Sequence, residues 1–133
     1  MHRLFILSAA IILFFTQCRK DDRPDGGLYN TNFYSASKGD AGTLYLFIDN
    51  QPKGELPYFS EQPACNDSTG DKTKPIYLQL KSGDYKIEAK DASGNIKSSG
   101  EIFISKNKMS SSGGVGGQLM SMKDDCLVIG LSY

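Results

Sequence analysis

The chain has 133 residues, 15 Lys+Arg against 15 Asp+Glu, one His, three Cys and no Trp. That length allows one domain with a modest core. A formal charge of zero argues against a nucleic-acid partner, which calls for a basic excess.

Met1, His2 and Arg3 open the chain with a short positive region. Leu4 to Phe15 follows as an apolar run, LFILSAAIILFF, interrupted only by Ser8. As a helix this run would rise roughly 18 Å, short of the ~30 Å hydrocarbon thickness that a spanning helix must cross. The pattern predicts a cleaved secretory signal over residues 1–17 and not a membrane span. The alternative is a buried N-terminal strand or helix, but the run is apolar on all faces.

Phe15-Thr16-Gln17-Cys18 resembles the lipobox of bacterial lipoproteins, in which a Cys follows a hydrophobic residue and two small ones. Gln17 is bulkier than the family's usual Gly, Ala or Ser. The resemblance implies that the Cys18 thiol takes a diacylglyceryl group, that the chain is cut before it, and that the new amine is often acylated. Two or three acyl chains would hold firmly, because each buried methylene contributes ~0.8 kcal/mol and a single chain holds only marginally. The alternative is a Cys18 that is cut away or pairs elsewhere. Cys18-Arg19-Lys20-Asp21-Asp22 also resembles the export signal that sends some Bacteroidetes lipoproteins to the cell surface, a Lys and two acidic residues just after the acylated Cys. Lys20, Asp21 and Asp22 fill those places. Arg19 stands where an Asp would imply inner-membrane retention. A plain solvated linker is the alternative for such a charge cluster.

Without residues 1–17 the chain has 116 residues, no histidine and a charge of −1, taking the Cys18 amine as acylated. Of these, 40 are apolar, about a third, which is lean for a globular domain. A disulfide would compensate. Cys65 and Cys126 remain as an even pair in an exported chain. Closing that loop would add roughly 4 kcal/mol in the chain-entropy model. Two buried free thiols are the alternative.

The body reads as β. Residues 18–27 form the acylated Cys and a polar, flexible tether with Pro24, Gly26 and Gly27, and residues 28–133 form the domain. Leu44, Leu46 and Ile48 share one face of a strand and Tyr45 and Phe47 the other, which predicts a central strand covered on both sides. Asn50 to Gly54 is expected to turn the chain. Ile76, Leu78 and Leu80 alternate with Tyr77 and Gln79. After a Ser82-Gly83-Asp84 turn, Tyr85, Ile87 and Ala89 are expected to face inward and Lys86, Glu88 and Lys90 to face water. A turn at Asp91–Asn95 leads to Ile96 and then Ile102-Phe103-Ile104. Residues 119–122 and 126–132 are expected to pair as the last strands. No stretch of a dozen residues keeps apolar groups at helical spacing. The expectation is all-β, a small antiparallel β-sandwich.

LYLFIDNQPKGELPY, followed by YLQLKSGDYKIEAKDASGNI, resembles the PEGA and related carboxypeptidase-regulatory-like β-sandwich modules. Their pattern is carried by Ile48, Asp49, Gly54, Leu56-Pro57, Leu80, Gly83, Tyr85 and Ile87, over roughly residues 43–105. The segment 57–75, with Cys65, departs from the compact pattern. The resemblance implies a binding or spacer domain with no catalytic residues to carry over.

Residue types limit the chemistry. Without His, a Ser-His or Cys-His nucleophile is impossible in the mature chain, as are His-bearing zinc sites. Ser35-Ala36-Ser37-Lys38 spells S-x-x-K, but the partner motifs of penicillin-binding enzymes are missing. Ser110 to Gly117, SSSGGVGG, lacks the Gly-Lys-Ser/Thr of a phosphate loop and is expected to be a mobile hairpin loop. Asn66 to Asp71, with Asp124 and Asp125, could offer oxygens to Ca²⁺, though without EF-hand spacing; solvated loop acids are the commoner case. Asn66-Asp67-Ser68 and Asp67-Ser68-Thr69 fit short glycosylation patterns that chance often produces. Seven Tyr and seven Phe suit a β core and sugar stacking on a face, while the absence of Trp argues against a strong carbohydrate platform.

The expected protein is therefore a lipid-anchored outer-membrane or cell-surface lipoprotein, non-catalytic and without cofactor or metal. It would meet the membrane through its anchor and bind a protein or glycan. The alternative is a periplasm-facing lipoprotein acting as accessory subunit or inhibitor of an envelope enzyme. Carboxylate pairs leave glycoside hydrolysis as a distant third reading.

Overall fold

The computed structural model describes residues 25–38, 41–65 and 74–133. The described chain is all-β, a small sandwich of two sheets. Its nine strands are β1 (Leu28–Ser35), β2 (Leu44–Ile48), β3 (Gln51–Leu56), β4 (Ile76–Lys81), β5 (Gly83–Lys90), β6 (Ile96–Ser105), β7 (Lys108–Ser112), β8 (Gly117–Lys123) and β9 (Cys126–Ser132). One sheet has the order β4-β1-β9-β8 and the other β3-β2-β5-β6-β7. All strand pairs are antiparallel except β1 with β9, so the expected antiparallel sandwich carries one parallel seam.

Alternation builds the core. Phe33 from β1, Leu46 from β2, Ile87 and Ala89 from β5, Ile104 from β6 and Leu127, Ile129 and Leu131 from β9 are fully buried between the sheets. Each large aliphatic or aromatic side chain so removed from water contributes ~1.5–3 kcal/mol. Short turns fix the registers. Asp49 and Asn50 both adopt positive φ (49° and 64°) and link Ile48 to its partner Gln51. A two-residue loop of this kind matches the twist of its strands, and after Gly, Asn and Asp tolerate it best. Asp91 ties the β5–β6 turn by accepting bonds from Ser93 N and Asn95 N, each at 2.9 Å.

Several expectations are corrected. Asn50 to Gly54 is expected to turn the chain, but Gln51–Leu56 is the edge strand β3, because the turn is completed within Asp49–Asn50. Pro52 is tolerated there because an edge strand has one unpaired side. The second face of β2 is only partly covered among the described residues: Tyr45 is 38% exposed, and the half-buried Phe47 lies under Lys90, whose Nζ is 4.4 Å from the ring centroid. Glu88, expected in water, is buried at 2% exposure. Leu28–Ser35, where no strand was expected, is β1, an inner strand of its sheet.

The glycine-rich stretch is not a hairpin loop. Ser110–Ser112 belong to β7, and Gly113–Gly116 carry the chain from one sheet to the other, along β6. Ser99 N donates to Val115 O at 2.8 Å, and Val115 N donates to Ser99 Oγ at 3.1 Å. A Cβ on Gly114 would fall 1.9 Å from Ser99 O, and one on Gly116 would fall 2.1 Å from Ser132 O. Glycine is required here by close backbone approach.

Candidate functional site

The sandwich has two unlike ends. At the first, the chain enters β1. Asp25 accepts bonds from Gly27 N and Tyr29 OH, each at 2.8 Å, and from Lys106 N of the β6–β7 turn. Gly26 N donates to Ser82 Oγ at 2.8 Å, and Ser82 N donates to Gly27 O at 2.8 Å. The Gly27 amide, then the Tyr29 hydroxyl and the Lys106 amide, hold the Asp25 carboxyl far below the ordinary carboxylate range. Burial and the Asp25 bond push the Tyr29 hydroxyl up to about 12. The last residues of the expected tether are thus clasped to two turns of the domain.

The opposite end carries a cleft. Ser35 closes β1, Leu44 opens β2 and Leu56 closes β3, so all three strands meet there. Ser35 N donates to Pro57 O at 2.7 Å, and Phe59 N returns a bond to Ser35 O at 3.0 Å. Leu56, Pro57 and Leu44 contribute apolar wall, Tyr58 and Tyr133 contribute rings, and Thr43, Lys38 and Glu55 contribute polar groups to a cleft of about 360 Å³. Tyr58 is 41% exposed and Tyr133 38%. Lys38 Nζ stands 6.0 Å from the Tyr58 ring centroid, the outer limit of a cation–π contact. β1 separates the clasp from the cleft by eight residues, a rise of roughly 25 Å.

The outer face of the β4-β1-β9-β8 sheet is covered by residues 57–65. Phe59 packs edge-on against Tyr34, with centroids 6.1 Å apart, and Gln62 Nε2 donates to Ser121 Oγ. Cys65 and Cys126 form a disulfide that fastens this strap to the start of β9. On the outer face of the other sheet Glu88 makes ion pairs with Lys86 at 2.9 Å and Lys90 at 3.1 Å. The bond from Lys86, supported by Lys90 and opposed by burial, lowers the pKa of Glu88.

Among the residues singled out in the sequence, the structure brings Cys65 and Cys126 together. Cys18, Lys20, Asp21 and Asp22 lie outside the described residues, as do the loop acids and glycosylation patterns within 66–71. Asp124 and Asp125 are exposed in the β8–β9 turn, and no group of three or more His, Cys, Asp or Glu among the described residues is placed to hold a metal ion. Ser35 of the S-x-x-K string ends β1 with its hydroxyl donating to Ser37 O at 2.9 Å.

No family model, no curated protein and no solved structure matches the chain. Among the described residues this cleft is a ligand-sized feature, and sequence reading missed it. Tyr58 and Tyr133 lie about 75 residues apart on segments without alternation. The one available signal was Tyr58 standing beside Pro57, which by itself does not distinguish a cleft from a loop.

Proposed function

We propose that this protein is a lipid-anchored outer-membrane lipoprotein, displayed at the cell surface, whose β-sandwich is a non-catalytic binding module. The observation that carries the reading is the apolar run Leu4–Phe15 ending at Phe15-Thr16-Gln17-Cys18, followed at once by Lys20, Asp21 and Asp22. Acyl chains on Cys18 supply the anchor. The clasp at Asp25 and the cleft at the far end support the reading geometrically. A domain held at its β1 entry presents Tyr58 and Tyr133 away from the bilayer. The resemblance of residues 43–105 to PEGA-type modules points the same way, toward binding and not catalysis.

Palmitate labelling of cells expressing the full chain and a Cys18→Ala variant tests the anchor. Label on the first and none on the second is the expected result; equal labelling of both refutes it. Protease shaving of intact cells tests the address. Loss of the domain from outside, prevented when Lys20, Asp21 and Asp22 are replaced by Ala, is expected for surface display. Protection of the unaltered chain assigns it to the periplasmic face.

A further inference from the structure

We infer, on the reading of this chain as a binding module, that the cleft beside Tyr58 and Tyr133 takes a neutral saccharide. The lining decides the class. Two partly exposed phenol rings and the half-buried Pro57, backed by the buried Leu44 and Leu56, offer surface to the C–H faces of a sugar, and the hydroxyl of Thr43 and the charged ends of Lys38 and Glu55 offer hydrogen bonds at the rim. The charged side chains of the lining are one cation, Lys38, and one anion, Glu55, so the side chains do not select a phosphate or a carboxylate. The volume of about 360 Å³ lies at the small end of the ~300–1,000 Å³ range of ligand sites, so the cleft grips a short stretch of a longer chain.

A peptide is the competing class of ligand. Peptides gain much of their affinity from backbone hydrogen bonds along a free strand edge. Around this cleft several main-chain donors already have partners: Ser35 N on Pro57 O, Ala36 N on Leu131 O and Tyr133 N on Ser37 Oγ, at 2.7, 2.9 and 3.2 Å. On the β1 and Tyr133 sides of the cleft recognition therefore falls to side chains, as stacking and rim hydroxyl bonding require. The outer side of edge strand β3, which ends at Leu56, is where a peptide strand would add, and the decapeptide arm of the test below separates the two. Rings of Tyr in place of Trp make the binding weak, and display of many anchored copies on one surface raises it by avidity.

The full acylated chain, held in a detergent without a sugar headgroup, is run through native gels containing laminarin, dextran, xylan or galactomannan. The seven tyrosines and no tryptophan also let tyrosine fluorescence report binding directly. The expected result is retardation by at least one of these glycans. Tyr58→Ala and Tyr133→Ala should weaken it at least tenfold, whereas Tyr58→Phe, which keeps the ring, and Tyr77→Ala, on the strap-side sheet, should not. Thermal melts establish that each variant is folded, and Tyr58→Phe against wild type keeps the test informative if Tyr58→Ala is not. Four outcomes overturn the proposal: no retardation by any of the four glycans, equal retardation of the Ala variants, loss of binding in Tyr58→Phe as well, or binding only to a proline-rich decapeptide. None of these affects palmitate labelling at Cys18, so failure of the saccharide site and failure of the anchor are read separately.

Discussion

The ring of Tyr34 lies over Gly130, so close that a Cβ at position 130 would fall 2.5 Å from Tyr34 Cζ. The two residues are partners in the parallel β1–β9 seam, and Phe59 closes on the ring from the strap. Gly130 thus creates the slot that lets an aromatic ring lie flat on the sheet. Gly130→Ala should push the ring outward against the strap and cost about 1–3 kcal/mol, the range for overpacking. Urea unfolding measures it. A loss under half a kilocalorie would mean the ring moves freely.

The Cys65–Cys126 bond closes a loop whose ends are 61 residues apart in sequence. Its removal should lower stability by about 4 kcal/mol in the chain-entropy model, less any strain relieved. Urea titrations of the domain with and without reductant, and of the Cys65→Ala/Cys126→Ala double variant, should agree on that loss. Agreement between the reduced and oxidised curves would show that the strap holds without its bond.

Glu88 gives stability a defined pH dependence. Its folded pKa lies below the ordinary 4.5, so the unfolded chain binds the proton more readily. The contribution is therefore complete above about pH 4.5 and is lost as pH falls through the lower folded value. Glu88→Gln should remove about 1–3 kcal/mol at pH 7 by leaving Lys86 and Lys90 without their shared acceptor. It should also flatten the acid limb. Asp25 acts in the same direction, so the Glu88→Gln profile keeps a residual slope. Parallel wild-type and variant curves between pH 3 and 6 would remove Glu88 from the account.

Gly113 and Gly114 both have positive φ, 66° and 92°, but only Gly114 lies against backbone, at Ser99 O. Gly113→Ala should cost about 1–2 kcal/mol, the left-handed penalty alone. Gly114→Ala should cost distinctly more, because the crossover must leave β6 and break the Ser99–Val115 bonds. Thermal melts of the two variants compare them under one condition, and equal shifts would contradict the close-packed crossover.

Much of the fold was legible because alternation reports burial wherever a strand has one wet face. Leu78 and Leu80 against Tyr77 and Gln79, and Tyr85 and Ile87 against Lys86, lie as their pattern says. Glu88 breaks it. Two lysines on its own strand, with its neighbours across the sheet, bury a charge that sequence places in water. β1 was illegible for a related reason. Asn32 and Tyr34 carry polar groups and the strand shows no clean alternation, yet both are buried, Asn32 donating to Leu127 O at 3.4 Å.

Local chemistry alone determined that this chain would form short strands around a lean core. Period-two alternation and turn residues act between near neighbours, and a sequence displays near neighbours directly. The parallel β1–β9 seam, the strap over Tyr34, the glycine crossover and the cleft at Tyr58 and Tyr133 were decided only in three dimensions. Each depends on residues far apart in the chain, where burial is conferred by whatever segment packs on top and not by the side chain's own neighbours.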